Sequence, residues 1–217
     1  MNVIKKKYRQ LLRVFLNKKN RNSILKNEEP CSIISSNCVG GVILHELGMP
    51  FNTPTINLYM EPKSYLTFVS NLQYYLKVPL EEKEVNLGYP VGHLNDEVTI
   101  HFLHYENFSQ AKYKWEERAK RVNFNRLYFI LTDRDGLTQE DAVRFDNLPY
   151  ENKVLLACRD FPGIKNLHNF GPNYREGESI VDLCQYKSWF SGRRYIDDFD
   201  YVDFINNYSL EKSGNHE

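Results

Sequence analysis

From residue 31 onward the chain alternates short apolar runs with amphipathic stretches. "CSIIS" (31–35) is a β-prone run. "VGGVILHEL" (39–47) reads as a helix stopped by Gly48 and Pro50. "PTINL" (54–58) reads as a short strand. "PKSYLTFVSNLQYYL" (62–76) has Pro62 near its start and apolar Tyr65, Phe68, Val69, Leu72 and Leu76 at helical spacing. Residues 79–97 read as loop, punctuated by Gly88, Pro90 and Gly92. "EVTIHFLHY" (97–105) is β-branched and aromatic, hence a strand. In "NFSQAKYKWEERAKRV" (107–122), Ala111, Trp115, Ala119 and Val122 form one apolar stripe of a helix. "RLYFILTD" (126–133) and "KVLLAC" (153–158) read as buried strands. Between them Thr138, with Asp141 three residues on, opens a helix as a capping-box variant. "ESIVDLC" (178–184) reads as a further strand. "YIDDFDYVDFINNY" (195–208) closes the fold as a helix with Phe199, Val202 and Ile205 facing in.

Strands alternating with helices of ten to fifteen residues predict βαβ units. The expected fold is α/β: a mostly parallel sheet of five to six strands with helices on both faces, Rossmann-like and three-layered. Continuous apolar runs such as "LYFIL" suit strands buried on both sides. Ligands of such sheets bind beyond the carboxyl ends of the strands. That rule selects Asn37 and Cys38, His104 and Tyr105, Asp133 and Asp135, and Arg159 and Asp160.

The first 27 residues break this pattern. They carry nine Lys or Arg and no acid, so the rest of the neutral 217-residue chain has a net charge of −9. A body of that sign repels phosphate, which argues against nucleic acid as a partner. The segment reads as a basic amphipathic helix with Val3, Ile4, Leu11, Leu12, Phe15 and Leu16 on one side. Such a helix either packs on the domain or lies on an anionic membrane surface. The expected organisation is residues 1–27 as helix and linker, 28–210 as one α/β domain, and 211–217 as a disordered tail. No apolar run is long enough to span a bilayer, and no signal-peptide pattern is present. The expected location is the cytoplasm, with peripheral contact at the inner membrane through residues 1–27. Cys31, Cys38, Cys158 and Cys184 are widely spaced without a CxxC, and read as thiols.

Cys38 is the sharpest candidate for chemistry. A strand–turn–helix places it at a helix start, where unpaired N–H groups favour a thiolate and lower its pKa. Gly40 and Gly41 are poor helix formers, and each costs about 1 kcal/mol relative to Ala. They allow close approach of a substrate, or of another backbone. In the functional reading Cys38 is nucleophile, Asn37 and the turn N–H groups stabilise an oxyanion, and His104 is the general base. His45 lies two helical turns from Cys38, too far to touch it. In the plainer reading Cys38 is a small buried hydrophobe and the glycines give packing room.

Two further signals stand beside it. Asp133-x-Asp135 follows an apolar strand and resembles the DxD pattern of glycosyltransferases, with carboxylates suited to Mg²⁺ or Mn²⁺. Asp133 reads equally as an orienter of the base. Lys114, Arg118 and Arg121 line one side of a helix and can hold phosphate or carboxylate, although Glu117 and Arg121 also have ion-pair spacing. There is no GxGxxG, P-loop, GxSxG or HExxH, which argues against familiar nucleotide-triphosphatases, dehydrogenases and zinc peptidases.

Three stretches together resemble the bacterial family catalogued as domain of unknown function 1919. They are "SSNCVGGVILHELGMPFNTPTINL", "YPVGHLNDEVTIHFLHYENFSQAKYKWEERAKRVN" and "LTDRDGLTQEDAVRFDNLPYENKV". The resemblance spans residues 28–208. It implies an α/β fold and a setting among capsule, exopolysaccharide or lipopolysaccharide genes. It implies no reaction and no catalytic residues. A looser likeness, carried by Asn37, Cys38 and His104, is to bacterial proteins described as papain-like cysteine peptidases. The expectation is a transferase of surface-polysaccharide assembly that uses Cys38 on a sugar or lipid-linked sugar. Tyr105 joins Lys114, Arg118, Arg121 and the two glycines as candidate substrate contacts. A cysteine hydrolase, a metal-dependent glycosyltransferase and a non-catalytic scaffold are the alternatives.

Overall fold

The computed structural model describes residues 3–24, 29–188 and 190–207. The tail expected over 211–217, with His216, lies outside them. In chain order the elements are α1 (Val3–Ser23), β1 (Ser32–Ser35), α2 (Val39–Leu47), α3 (Pro62–Ser70), α4 (Leu72–Tyr75), β2 (Glu81–Glu82), β3 (Val91–Leu94) and β4 (Val98–His101). They continue with α5 (Phe108–Ala119), β5 (Leu127–Thr132), α6 (Gln139–Asp146), β6 (Lys153–Ala157), β7 (Leu167–Asn169), β8 (Arg175–Glu176), β9 (Ser179–Ile180) and α7 (Tyr201–Asn206).

The centre is a four-stranded parallel sheet in the order β1-β5-β6-β7. Successive residues of its strands feed two separate cores, as strand geometry requires. Ile34, Phe129, Leu131, Leu155 and Ala157 point to one core, shared with Tyr65, Phe68, Trp115 and Phe145 from the helices there. Ile33, Tyr128, Ile130, Val154 and Leu156 point to the other, with Ile43, Leu44, Ile196 and Ile205. Helices therefore cover both faces, and the three-layer α/β expectation holds.

The strand count does not. Residues 98–101 pair antiparallel with β3 and leave the main sheet with four strands. The cause is a tight turn at Asn95 and Asp96, both in the left-handed region (φ 49° and 57°), which folds 91–101 back on itself as a hairpin. The stretch expected as a strand over 178–184 contributes two residues, Ser179–Ile180, to a small hairpin with Arg175–Glu176. The stretch expected as a strand over 54–58 forms none, and the next residue, Tyr59, makes an isolated bridge to His101. The helix expected over 62–76 breaks at Asn71 (φ −140°, ψ 56°).

Local signals worked where caps are strong. Gly48 is left-handed (φ 69°) and ends α2, its N–H bonding to the His45 carbonyl. Thr138 and Asp141 make the full reciprocal box at the start of α6.

The basic helix α1 packs on α2 with an inverted polarity. Its inward side carries Arg13 and Asn17, both buried, whereas Leu11 and Phe15 face outward. Arg13 Nε lies 2.9 Å from a Glu46 carboxylate oxygen as an ion pair, and Arg13 pairs with Asp197 through Nη1. Asn17 bonds to Glu46 as well. Arg21 reaches the carbonyls of Glu46 (2.8 Å) and His45 (3.3 Å) at the end of α2.

Candidate functional site

The carboxyl ends of β1 and β5 lie side by side, and the Asn37 amide ties them by donating to Thr132 Oγ1 at 2.7 Å. Asn37 Oδ1 also accepts from the Val39 N–H (3.2 Å), so it closes the turn that starts α2. Gly40 is required for this closeness. A Cβ there would stand 2.8 Å from Ser35 Cβ and 3.0 Å from Ile33 Cγ2. A Cβ at Gly41 would meet Ile56 Cδ1 at 3.0 Å. Both glycines are buried, and helix–strand packing is what they allow.

A cleft of about 330 Å³ opens above these strand ends. Asn37, Cys38 and Thr132 line it from the sheet side, and Tyr59, His104, Arg134 and Asp135 from the loops. Glu176, Asp182, Cys184 and Gln185 close it from the segment around the β8–β9 hairpin. That hairpin is pinned to the end of β5. Ile180 N–H donates to the Asp133 carbonyl (3.1 Å), and Arg134 Nη1 donates to the Ile180 carbonyl (2.8 Å).

A second cleft, of about 280 Å³, lies on the other side of Cys38. Gly41, His45 and Glu46 of α2 line it with Phe51, Asn57, Arg118 and Arg194. Arg118 donates to Tyr105 Oη at 2.7 Å and lies over the Phe51 ring. Tyr105 Oη in turn donates to the Ile56 carbonyl (3.0 Å). Cys38 borders both clefts.

The thiol is not the preformed thiolate expected from its place in the chain. Cys38 is half-buried, and its Sγ contacts the Leu58 carbonyl at 3.7 Å. Burial, reinforced by the negative charge of Asp182, pushes it up to about 11. The helix start is too weak a donor field to reverse that, since Cys38 itself occupies the cap position in helical conformation (φ −64°, ψ −10°). Burial likewise raises the Cys184 thiol, again helped by Asp182. Asp135, although open to solvent, is raised by desolvation within the cleft, with Glu61 opposing its ionisation further.

A family model described as a domain of unknown function, 1919, matches residues 7–206. The chain belongs to this family. A relative from Haemophilus influenzae, described as an uncharacterised protein, is 38% identical over 175 residues, covering 81% of this chain and 84% of the relative. The family match begins inside α1, so it includes most of the basic helix.

In this member of the family, the residues singled out in the sequence divide into three groups. Asn37, Cys38, His104 and Asp135 come together around the first cleft. Gly41 and Arg118 join Cys38 at the second, with Tyr105 held by Arg118 beside it. Asp133, Lys114 and Arg121 lie apart from both linings. The Asp133 carboxylate is buried against Arg159, whose Nε donates to both its oxygens at 3.1 and 3.2 Å and whose Nη2 lies 3.0 Å away, and against the Cys158 thiol at 3.7 Å. It is thereby a brace between the ends of β5 and β6. Only Asp135 of the Asp133-x-Asp135 pair lines the cleft. Among the described residues no three His, Cys, Asp or Glu side chains gather in a metal-binding group. Asp133 and Asp135 therefore do not line one cleft together. Lys114 and Arg121 are surface residues, and Glu117 pairs with Lys120 (2.9 Å) in place of the expected Arg121.

Sequence reasoning missed Glu176, Asp182, Cys184 and Arg194. Glu176 sits in the two-residue strand β8 and Asp182 and Cys184 in the loop after β9, whereas the sequence over 178–184 reads as one strand. Arg194 stands just before a 3-10 turn (Tyr195–Asp198), where it stacks on Tyr186 and donates from Nε to Glu46 at 3.2 Å. His101 is no part of the cleft lining. It is buried in β4 and stacks on Tyr59 with ring centroids 4.4 Å apart.

Proposed function

We propose that this protein is an acyl-transfer enzyme of surface-polysaccharide assembly, with Cys38 as its nucleophile. The observation that carries the reading is that one thiol borders two chemically different clefts. The first is rich in carboxylates and amides: Asn37, Asp135, Glu176, Asp182 and Gln185 beside the Tyr59 ring. Such groups accept and donate to the hydroxyls of a sugar. The second offers guanidinium groups from Arg118 and Arg194, together with His45, suited to the phosphate or carboxylate of a donor. The polysaccharide setting comes from the family resemblance described above.

The chemistry balances with these groups. Cys38 Sγ attacks the donor's carbonyl carbon while its proton passes to His104. An S–C bond forms, the bond to the leaving group breaks, and His104 returns the proton to that group. A sugar hydroxyl then attacks the thioester, loses its proton to His104, and releases the thiolate, which His104 reprotonates. A thiol held neutral until substrate arrives resists idle oxidation, because the thiolate is the form that oxidises. The lipid-linked or free state of the sugar does not alter these steps.

Binding tests the reading before any reaction is found. Saturation-transfer NMR with a panel of hexoses, aminosugars and uronic acids is expected to show contact with at least one class. That contact is expected to vanish in Asp182→Ala and to survive in Cys38→Ser. Failure of every sugar to bind favours the hydrolase alternative, in which water takes the place of the sugar hydroxyl. Failure of sugar binding together with full function of Cys38→Ser would leave the scaffold reading.

A further inference from the structure

Among the described residues nothing covers the outer face of α1, which is apolar and basic at once. Leu11, Val14 and Phe15 are 59%, 60% and 67% exposed, and Tyr8 is 47% exposed. Their spacing of three and four residues puts them on one side of the helix. Lys7, Lys18 and Lys19 are also exposed, and residues 1–27 hold no acid. A helix that packs on a core ordinarily turns its apolar side inward. This one turns Arg13 and Asn17 inward, onto Glu46 and Asp197. Close packing fixes that orientation, since a Cβ at Gly192 would stand 2.7 Å from Leu12 Cβ. The apolar stripe is therefore held outward by buried ion pairs.

We infer that α1 is a docking surface for an anionic lipid bilayer, on which it lies in the interface plane. Charge complementarity selects this occupant. Large apolar side chains flanked by lysines, with no carboxylate on the segment, suit acyl chains beneath acidic headgroups. Among the described residues no helix is long and apolar enough to cross a membrane, so the contact is peripheral. The inference is independent of the chemistry at Cys38.

The test is co-sedimentation of the full chain with vesicles, either of phosphatidylcholine alone or with phosphatidylglycerol added. Binding is expected to the acidic vesicles and to weaken with salt. The double variant Leu11→Ser/Phe15→Ser is expected to weaken it on the order of 10-fold or more. The triple variant Lys7→Glu/Lys18→Glu/Lys19→Glu is expected to weaken it on the order of 100-fold, because each lysine near an acidic surface contributes roughly five-fold. Cys38→Ser is expected to bind as wild type. All these positions are exposed, or, for Cys38, conservatively changed, and thermal melting checks that each variant folds. No binding to acidic vesicles overturns the inference. So does binding that the α1 variants leave unchanged. Sedimentation showing a dimer that Leu11→Ser/Phe15→Ser dissociates, without vesicle binding, assigns the face to a second copy and overturns it too.

Discussion

The two ends of α2 bury ionisable groups and treat them oppositely. At its start Cys38 is half-buried with the Asp182 carboxylate acting on it, and burial first, then that negative charge, holds the thiol neutral. Toward its end Glu46 is more deeply buried, yet its carboxyl is held below the usual range. There burial pulls the carboxyl up, and the Arg13 guanidinium, with Asn17 and Arg194, more than reverses it. Burial alone does not set the charge state; the sign of the neighbouring charge decides. One end of the helix is thus a structural clamp for α1. The other is a poised neutral group between two clefts.

Breaking the clamp gives the largest expected effect. Arg13→Ala leaves the buried Glu46 and the half-buried Asp197 without their main partner, and a loss of about 3–5 kcal/mol in denaturant melts is expected. The same pair has an acid limit. Because the folded pKa of Glu46 is depressed, its contribution is full above the ordinary carboxylate pKa and is lost as pH falls through the folded value. Arg13→Ala is expected to flatten that acid dependence, and an unchanged profile would place it elsewhere.

The thiols set the opposite limit. Burial pushes Cys31, like Cys38, up to about 11. The unfolded chain then releases its thiol protons first, so stability falls as pH rises from about 9 to about 11. For the fully buried Cys31 the loss is about 2–3 kcal/mol. Melts of Cys31→Ala across that range are expected to show a shallower decline than wild type.

Gly40→Ala sharpens the role of the turn. Its Cβ would press on Ser35 and Ile33, and a cost of about 1–3 kcal/mol is expected. Gly41→Ala, which meets a single flexible Ile56 tip, is expected to cost less. Equal costs would show that the strand contact is not what selects Gly40. The smallest effect probes the charge beside Cys38. Asp182→Asn removes the negative neighbour, so the thiol pKa is expected to fall and iodoacetamide labelling of Cys38 at neutral pH to rise several-fold. An unchanged rate would leave burial as the whole cause.

Much of the central sheet was legible because its strands are short continuous apolar runs and its helices have strong caps. β1, α2, β5, α6 and β6 were read from residue pattern alone, and the ends of β1 and β5 contribute Asn37, Cys38 and Asp135 to one cleft. Pairing was not legible. Residues 98–101 carry the same β signature whether they join the parallel sheet or a hairpin, and the left-handed Asn95–Asp96 turn decided it. The missing part of the site has a similar cause. Asp182 and Glu176 come from a segment without periodicity, which is placed by the Asp133 carbonyl and Arg134. For α1 the sequence pattern does not tell which side packs, because the inward side is fixed by buried Arg13 and Asn17 rather than by the apolar stripe.

The central claim is that Cys38 carries a covalent intermediate between the two clefts. The direct measurement is intact and peptide mass spectrometry of the full chain after brief incubation with p-nitrophenyl acetate. The account predicts one acetyl group on Cys38, removed by hydroxylamine, absent in Cys38→Ser and strongly slowed in His104→Ala. Acetylation spread over other residues with Cys38 unmodified, or no difference between wild type and Cys38→Ser, would contradict it.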